Sequence, residues 1–119
     1  MRLYALCDQD MLDSKGVSLN DFINIANTQK AEILQYRNKN ADISVIKKNL
    51  ITIRKQFDGF LIVNDAYELI EFCDGVHLGQ EDLRAIDEDI RKAVKIVRSV
   101  IKDDKILGIS THNEEEVLI

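Results

Sequence analysis

The chain has 119 residues, of which 45% are apolar and 31% charged, and its formal net charge is −5. That length supports one modest domain with a single core, and the apolar share is too high for a disordered segment. The acidic balance, with no long basic run, argues against nucleic acid as the main partner, and no apolar stretch reaches the roughly 18–20 residues of a membrane span.

Met1-Arg2-Leu3-Tyr4 leads straight into strand-like sequence, with no apolar leader of the signal-peptide kind. The first strand is expected over residues 3–7. Cys7 and the distant Cys73 lack any metal-ligand spacing, so free thiols in a reducing cytosol, packed in the interior, are the expectation. A helix follows from about residue 18, where Ser18 and Asp21 have capping-box spacing and Leu19, Phe22, Ile25 and Ala26 share one face. Residues 31–36 read as the second strand, leading into Arg37 and Lys39. The second helix is expected over 42–56, with Ile43, Ile46, Leu50 and Ile53 as its apolar stripe. Residues 60–63 form the third strand, ending in Asn64-Asp65, and 65–72 a short helix. The fourth strand, 75–78, ends in Gly79-Gln80-Glu81-Asp82. The clearest helix follows, since Ile90, Ala93, Val94, Val97 and Ile101 hold helical spacing over three turns. A fifth strand over 105–109 runs into Ser110-Thr111-His112, and Asn113 with Glu116 opens a further helix by the capping pattern.

Strict alternation of strands and helices predicts an α/β fold with a parallel sheet. There is no proline, linker or low-complexity tract. The last helix has barely left its cap when the sequence stops on Val117-Leu118-Ile119, so the expectation is a single, partial domain over 1–119, about the first five-eighths of something longer.

In a parallel α/β sheet, polar groups at the carboxyl ends of the strands converge on one rim. Taken singly, the rim residues have ordinary roles. Asp65 begins a capping box with Glu68, Asp82 is an exposed loop acid, Arg37 and Lys39 are solvated charges, and His77 is a histidine in an apolar strand. Jointly they make a site. Asp65 and Asp82 follow adjacent strands, whose axes lie roughly 5 Å apart, so their carboxylates can share one Mg2+. Arg37 and Lys39 have alternate spacing that sends both toward a common face suited to phosphate oxygens. Ser110-Thr111 adds hydroxyl and backbone donors at an expected helix N-terminus. This is a metal-assisted site for a phosphorylated substrate, of the kind that stabilises a departing diphosphate.

Four segments resemble the thiamine phosphate synthase family. Gln35-Tyr36-Arg37-Asn38-Lys39 is similar to its Q-x-R-x-K segment, and Val63-Asn64-Asp65 to its strand-ending N-D. Gly75-Val76-His77-Leu78-Gly79-Gln80-Glu81-Asp82 is similar to its G-V-H-x-G-Q-x-D, the most specific of the four, and Gly108-Ile109-Ser110-Thr111-His112 to its G-x-S-x-H. They occur in the family's order and approximate spacing across essentially the whole chain. The resemblance implies a (β/α)8 barrel of the TIM type, present here in part, that joins a hydroxymethylpyrimidine diphosphate to a thiazole phosphate. It implies Asp65 and Asp82 as Mg2+ ligands and Arg37, Lys39, Asn64 and Ser110 as catalytic contacts to the diphosphate. Gln35 and His77 are implied at the pyrimidine, and a cytoplasmic location follows. The family's later loops, which hold the thiazole phosphate, are absent from these 119 residues, so the chain alone is expected to be inactive as a synthase. Self-association through open sheet edges is expected as well.

Three other readings compete. A receiver-type signalling domain has five parallel strands at this length, and Asp8, Asp10 and Asp65 mimic its acidic pocket, but it leaves Gly79–Asp82 unexplained. A thiazole tautomerase-like relative on the same barrel needs no metal, which the joint presence of Asp65, Asp82, Arg37 and Lys39 disfavours. A non-catalytic, truncated paralogue is the third.

Overall fold

A computed structural model describes residues 3–110 and 116–118, with Ser110 and 116–118 described by their backbone alone. Thr111, His112 and Asn113 lie outside the described residues. In chain order the elements are β1 (Tyr4–Asp8), α1 (Gln9–Lys15), α2 (Leu19–Thr28), β2 (Ile33–Arg37), α3 (Ile43–Gln56) and β3 (Phe60–Asn64). A 3-10 helix (Tyr67–Phe72) follows, then β4 (Gly75–Leu78), α4 (Gln80–Ile86), α5 (Ile90–Ile101), β5 (Ile106–Ser110) and β6 (Glu116–Leu118).

The strands lie side by side in chain order, and β1 to β5 are all parallel. This is the α/β architecture expected from the alternation, and a sheet growing strand by strand in one direction is consistent with part of a (β/α) barrel. A receiver-type domain is excluded, because its sheet reverses strand order after the first crossover and this one does not. Among the described residues no helix is long and apolar enough to cross a membrane.

Strand residues alternate between two faces. Leu34, Tyr36, Leu61, Val63, Val76 and Leu107 point to the helices and are fully buried. From the other side, α3 contributes Ile46, Leu50 and Ile53, and α5 contributes Ala93, Val97 and Ile101, each at the three- or four-residue spacing of one helical face. Cys7 and Cys73 are buried free thiols, and burial pushes them up to about 12 and about 11, so both stay protonated and inert, as expected of packing residues. Among the described residues no helix packs on the opposite face of the sheet. There Leu6 is 53% and Phe60 54% exposed, an apolar surface open along its amino-terminal half.

Helix starts follow local chemistry. Ser18 Oγ accepts from the Asp21 N–H at 3.1 Å, as its spacing predicts, and Asp42 precedes α3 in extended conformation. The Asp8 carboxylate accepts from the Asp10 N–H at 3.1 Å and starts α1 directly after β1. Two local expectations are corrected. Gln80–Ile86 is a helix rather than a loop. Glu116–Leu118 is a strand, not the opening of a helix, and it pairs antiparallel with β5, with Gly108 opposite Leu118 and Ser110 opposite Glu116. The apolar run thereby meets the unpaired N–H and C=O groups along the free side of β5, which outweigh a capping pattern that has no packed face to support it.

Candidate active site at the carboxyl rim

Sheet register fixes the site. On the helix-free face, Gln35 of β2 stands level with Leu6 and Ile62, and one layer nearer the carboxyl end Asn64 stands level with His77 and Gly108. Arg37 closes β2 on this same face by alternation. Side chains from four strands and from the segments that follow β2, β3 and β4 therefore surround one cavity of about 380 Å³, lined by Leu6, Gln35, Arg37, Lys39, Asn64, Asp65, His77, Gly79, Glu81 and Asp82.

The Asp65 backbone has φ +69, the left-handed region that a non-glycine residue adopts at a cost and that Asp tolerates better than most. Two local bonds hold it there. Its N–H donates to His77 O at 2.9 Å, extending the β3–β4 ladder, and its carbonyl accepts from the Tyr67 N–H at 2.7 Å. The capping role that Asp65-Ala66-Tyr67-Glu68 suggests is not adopted, because the 3-10 helix starts after Ala66 with no side-chain cap. The side chain is turned instead to Asp82, within hydrogen-bonding reach.

Asp82 reaches the same place from the first turn of α4. Its Oδ2 accepts from the Gly79 N–H at 2.9 Å, which orients the carboxylate at the head of the helix. A Cβ at position 79 would lie 3.2 Å from that oxygen, so glycine is the residue that permits the approach.

The Asp65 carboxyl is pushed up to about 7 by partial burial and by the adjoining Asp82 carboxylate, against the pull of Arg37 and Lys39. Asp65 lines the cavity and is partly open to solvent, which weakens the effect of burial. Direct contact with a second carboxylate, which solvent does not interrupt, is therefore the stronger physical cause. Two acids at one point favour either a shared proton or a cation. Among the described residues no three His, Cys, Asp or Glu side chains converge as a complete metal cage. A pair of carboxylates nonetheless suits Mg2+, which takes one or two protein carboxylates and completes its octahedron with water and phosphate oxygens.

Gln35 and His77 are buried, at 4% and 6% exposed, although polar. The Tyr4 hydroxyl donates to Gln35 Oε1, which fixes the amide at the cavity wall. Of the residues singled out from sequence, Gln35, Arg37, Lys39, Asn64, Asp65, His77 and Asp82 all line this one cavity. Ser110 ends β5 at the same rim, but its side chain lies outside the described residues. Leu6 and Glu81 were not singled out. Leu6 was legible from alternation in β1, and Glu81 lies inside the quoted Gly79–Asp82 segment. A larger cavity of about 800 Å³ sits at the opposite, amino-terminal end of the strands. Its Arg54 and Asp74 are paired with each other and tied to the Gly59 carbonyl and the Leu61 N–H, so they serve as a structural stitch.

Comparison with known proteins finds relatives over almost the whole chain. The sequence profile of thiamine monophosphate synthase matches residues 3–119. The chain is 36% identical to a thiamine-phosphate synthase of Caldicellulosiruptor bescii, over 88% of its own length and 46% of that protein's. It is 34% identical to one of Lawsonia intracellularis, over 96% of its length and 50% of that protein's, and 31% identical to one of Persephonella marina, over 99% and 54%. The chain spans about half the length of the curated relatives it matches.

Proposed function

This chain belongs to the thiamine monophosphate synthase family, and from that premise we propose that its rim cavity is the pyrimidine-diphosphate half of a thiamine phosphate synthase site. The observation that carries this reading is the Asp65–Asp82 carboxylate pair facing Arg37 and Lys39 across one cavity. Opposite charges arranged in this way suit a metal-bound diphosphate.

On this reading Asp65 and Asp82 hold Mg2+, whose chemistry when bound is to neutralise charge on the diphosphate oxygens. Arg37 and Lys39 neutralise the remainder, and Asn64 and Ser110 donate hydrogen bonds to the same oxygens. Gln35 presents its amide N–H2 to an acceptor nitrogen of the pyrimidine, and His77 lines the ring's pocket. The bond between the pyrimidine methylene carbon and the diphosphate oxygen breaks, with its electron pair leaving on the diphosphate. The thiazole ring nitrogen then supplies the pair for the new C–N bond. The cations act chiefly on the first step, where charge on the leaving group grows. The setting proposed is thiamine biosynthesis in the cytoplasm.

Calorimetric titration of the purified chain with hydroxymethylpyrimidine diphosphate, with and without Mg2+, tests the reading. Binding is expected only with the metal, and Asp65→Ala or Asp82→Ala is expected to weaken it at least about tenfold. Equal binding by either variant and the parent would overturn the assignment.

A further inference from the structure

A polar cluster around one buried tyrosine lies outside the cavity, on the helix-facing side of β2. Tyr36 is fully buried, and its hydroxyl is used completely. It donates to Gln9 Oε1 at 2.8 Å and accepts from Asn38 Nδ2 at 3.0 Å and Asn49 Nδ2 at 2.7 Å. One donor and two acceptor positions are all a phenol has. Burial raises its pKa above the ordinary value, so it stays a neutral donor. The cluster ties α1 (Gln9), α3 (Asn49) and the β2–α3 connection (Asn38) to one strand residue.

Asn38 lies between Arg37 and Lys39, and both of those line the rim cavity. Within β2 alternate side chains go to opposite faces, which sends Arg37 away from Tyr36 and the helices. Lys39 lies in a turn just past the end of β2, where no ladder hydrogen bond holds the backbone. Fixing the Asn38 side chain on the helix side constrains the link between the two. A side-chain anchor is what can hold it there.

We propose that Asn38 is a positioning residue, pinned by the Tyr36 hydroxyl so that Arg37 and Lys39 are presented together to the rim cavity. As a statement about diphosphate binding this deepens the function proposed above and rests on it. As a statement about the connection's order it does not.

The test is a double-mutant cycle on Asn38→Ala and Tyr36→Phe, with two readouts. The first is calorimetric binding of inorganic pyrophosphate with Mg2+. Each single variant is expected to lose about tenfold in affinity and the double variant no more than either, because residues acting through one contact are non-additive. The second is amide hydrogen exchange, expected to speed up several-fold over residues 37–40 in each variant while β3 and α5 keep their protection. Unchanged exchange over 37–40 would overturn the proposal, and so would multiplicative losses near a hundredfold in the double variant. Should the parent chain fail to bind pyrophosphate at all, the functional reading falls, and exchange over 37–40 alone decides the anchor. Asn38→Ala, at a half-buried connection, keeps the test decisive if Tyr36→Phe fails to fold.

Discussion

At the scale of single residues, Asp65 concentrates most of the tension in the molecule. It combines a left-handed backbone with a carboxyl pushed up to about 7 beside Asp82. A raised pKa in the folded state has a defined sign. Below the unfolded value of 3.8 the carboxyl is protonated in both states and contributes nothing. As pH rises from about 4 to about 7 the unfolded chain ionises first, so folding is progressively disfavoured, and the full penalty is present above 7. Asp65→Asn is therefore expected to raise the melting temperature by a few degrees at pH 8 and by almost nothing at pH 4, because Asn also tolerates the left-handed region. Solvent access to Asp65 keeps the gain modest. Melting curves at the two pH values check this. A companion expectation is that Mg2+ binding at pH 6 releases a proton, seen as a dependence of binding heat on buffer ionisation enthalpy.

At the scale of elements, the strands and the long helices were legible because each has its own periodicity. Short apolar runs exposed β1 to β5, and the helical stripes of α3 and α5 are continuous. What sequence reasoning missed were the two seven-residue helices. Only Leu12 is buried in α1 and only Leu83 in α4, and one anchor makes no stripe. The position of Asp82 was consequently placed on a loop, although its partnership with Asp65 followed from strand adjacency alone. The capping pattern at Asn113 and Glu116 misled for a different reason, since local hydrogen-bonding preference was weighed without the unpaired side of β5. The support under Arg37 and Lys39 was not legible at all, because nothing in the spacing brings Gln9 and Asn49 to Tyr36. Packing between strands yields its own prediction. A Cβ at Gly75 would sit 2.6 Å from the Ile106 carbonyl oxygen, which is backbone and cannot rotate away. Gly75→Ala is expected to destabilise the chain by about 1–3 kcal/mol, read by urea denaturation with little change in slope.

At the scale of the whole molecule, the described helices cover one face of the sheet, and the other is exposed at Leu6 and Phe60 while Gln35, Ile62 and His77 are buried on it. Leu6 and Phe60 are more than half exposed on that face, and among the described residues the outer edge of β1 has no strand partner. Both features favour association. Light scattering on the purified chain is expected to report a mass above the monomer, and Leu6→Glu to move it toward the monomer. Because Leu6 also lines the rim cavity, the same variant is expected to weaken pyrimidine-diphosphate binding, so mass and binding are to be read separately.

The order of the strands has a consequence for how the molecule comes into being. Tyr4 pairs with Ile33, Ile33 with Phe60, Ile62 with Gly75, and Gly75 with Ile106. Each partner is made immediately before the strand that needs it, so no early segment waits for a late one. Loop-closure entropy is met in small, similar steps, and the sheet can assemble in the direction in which a ribosome delivers it. The newest strand is always the reactive edge during that progression. The reversal of β6 onto β5 is where it ends among the described strands, with the growing side turned back on itself.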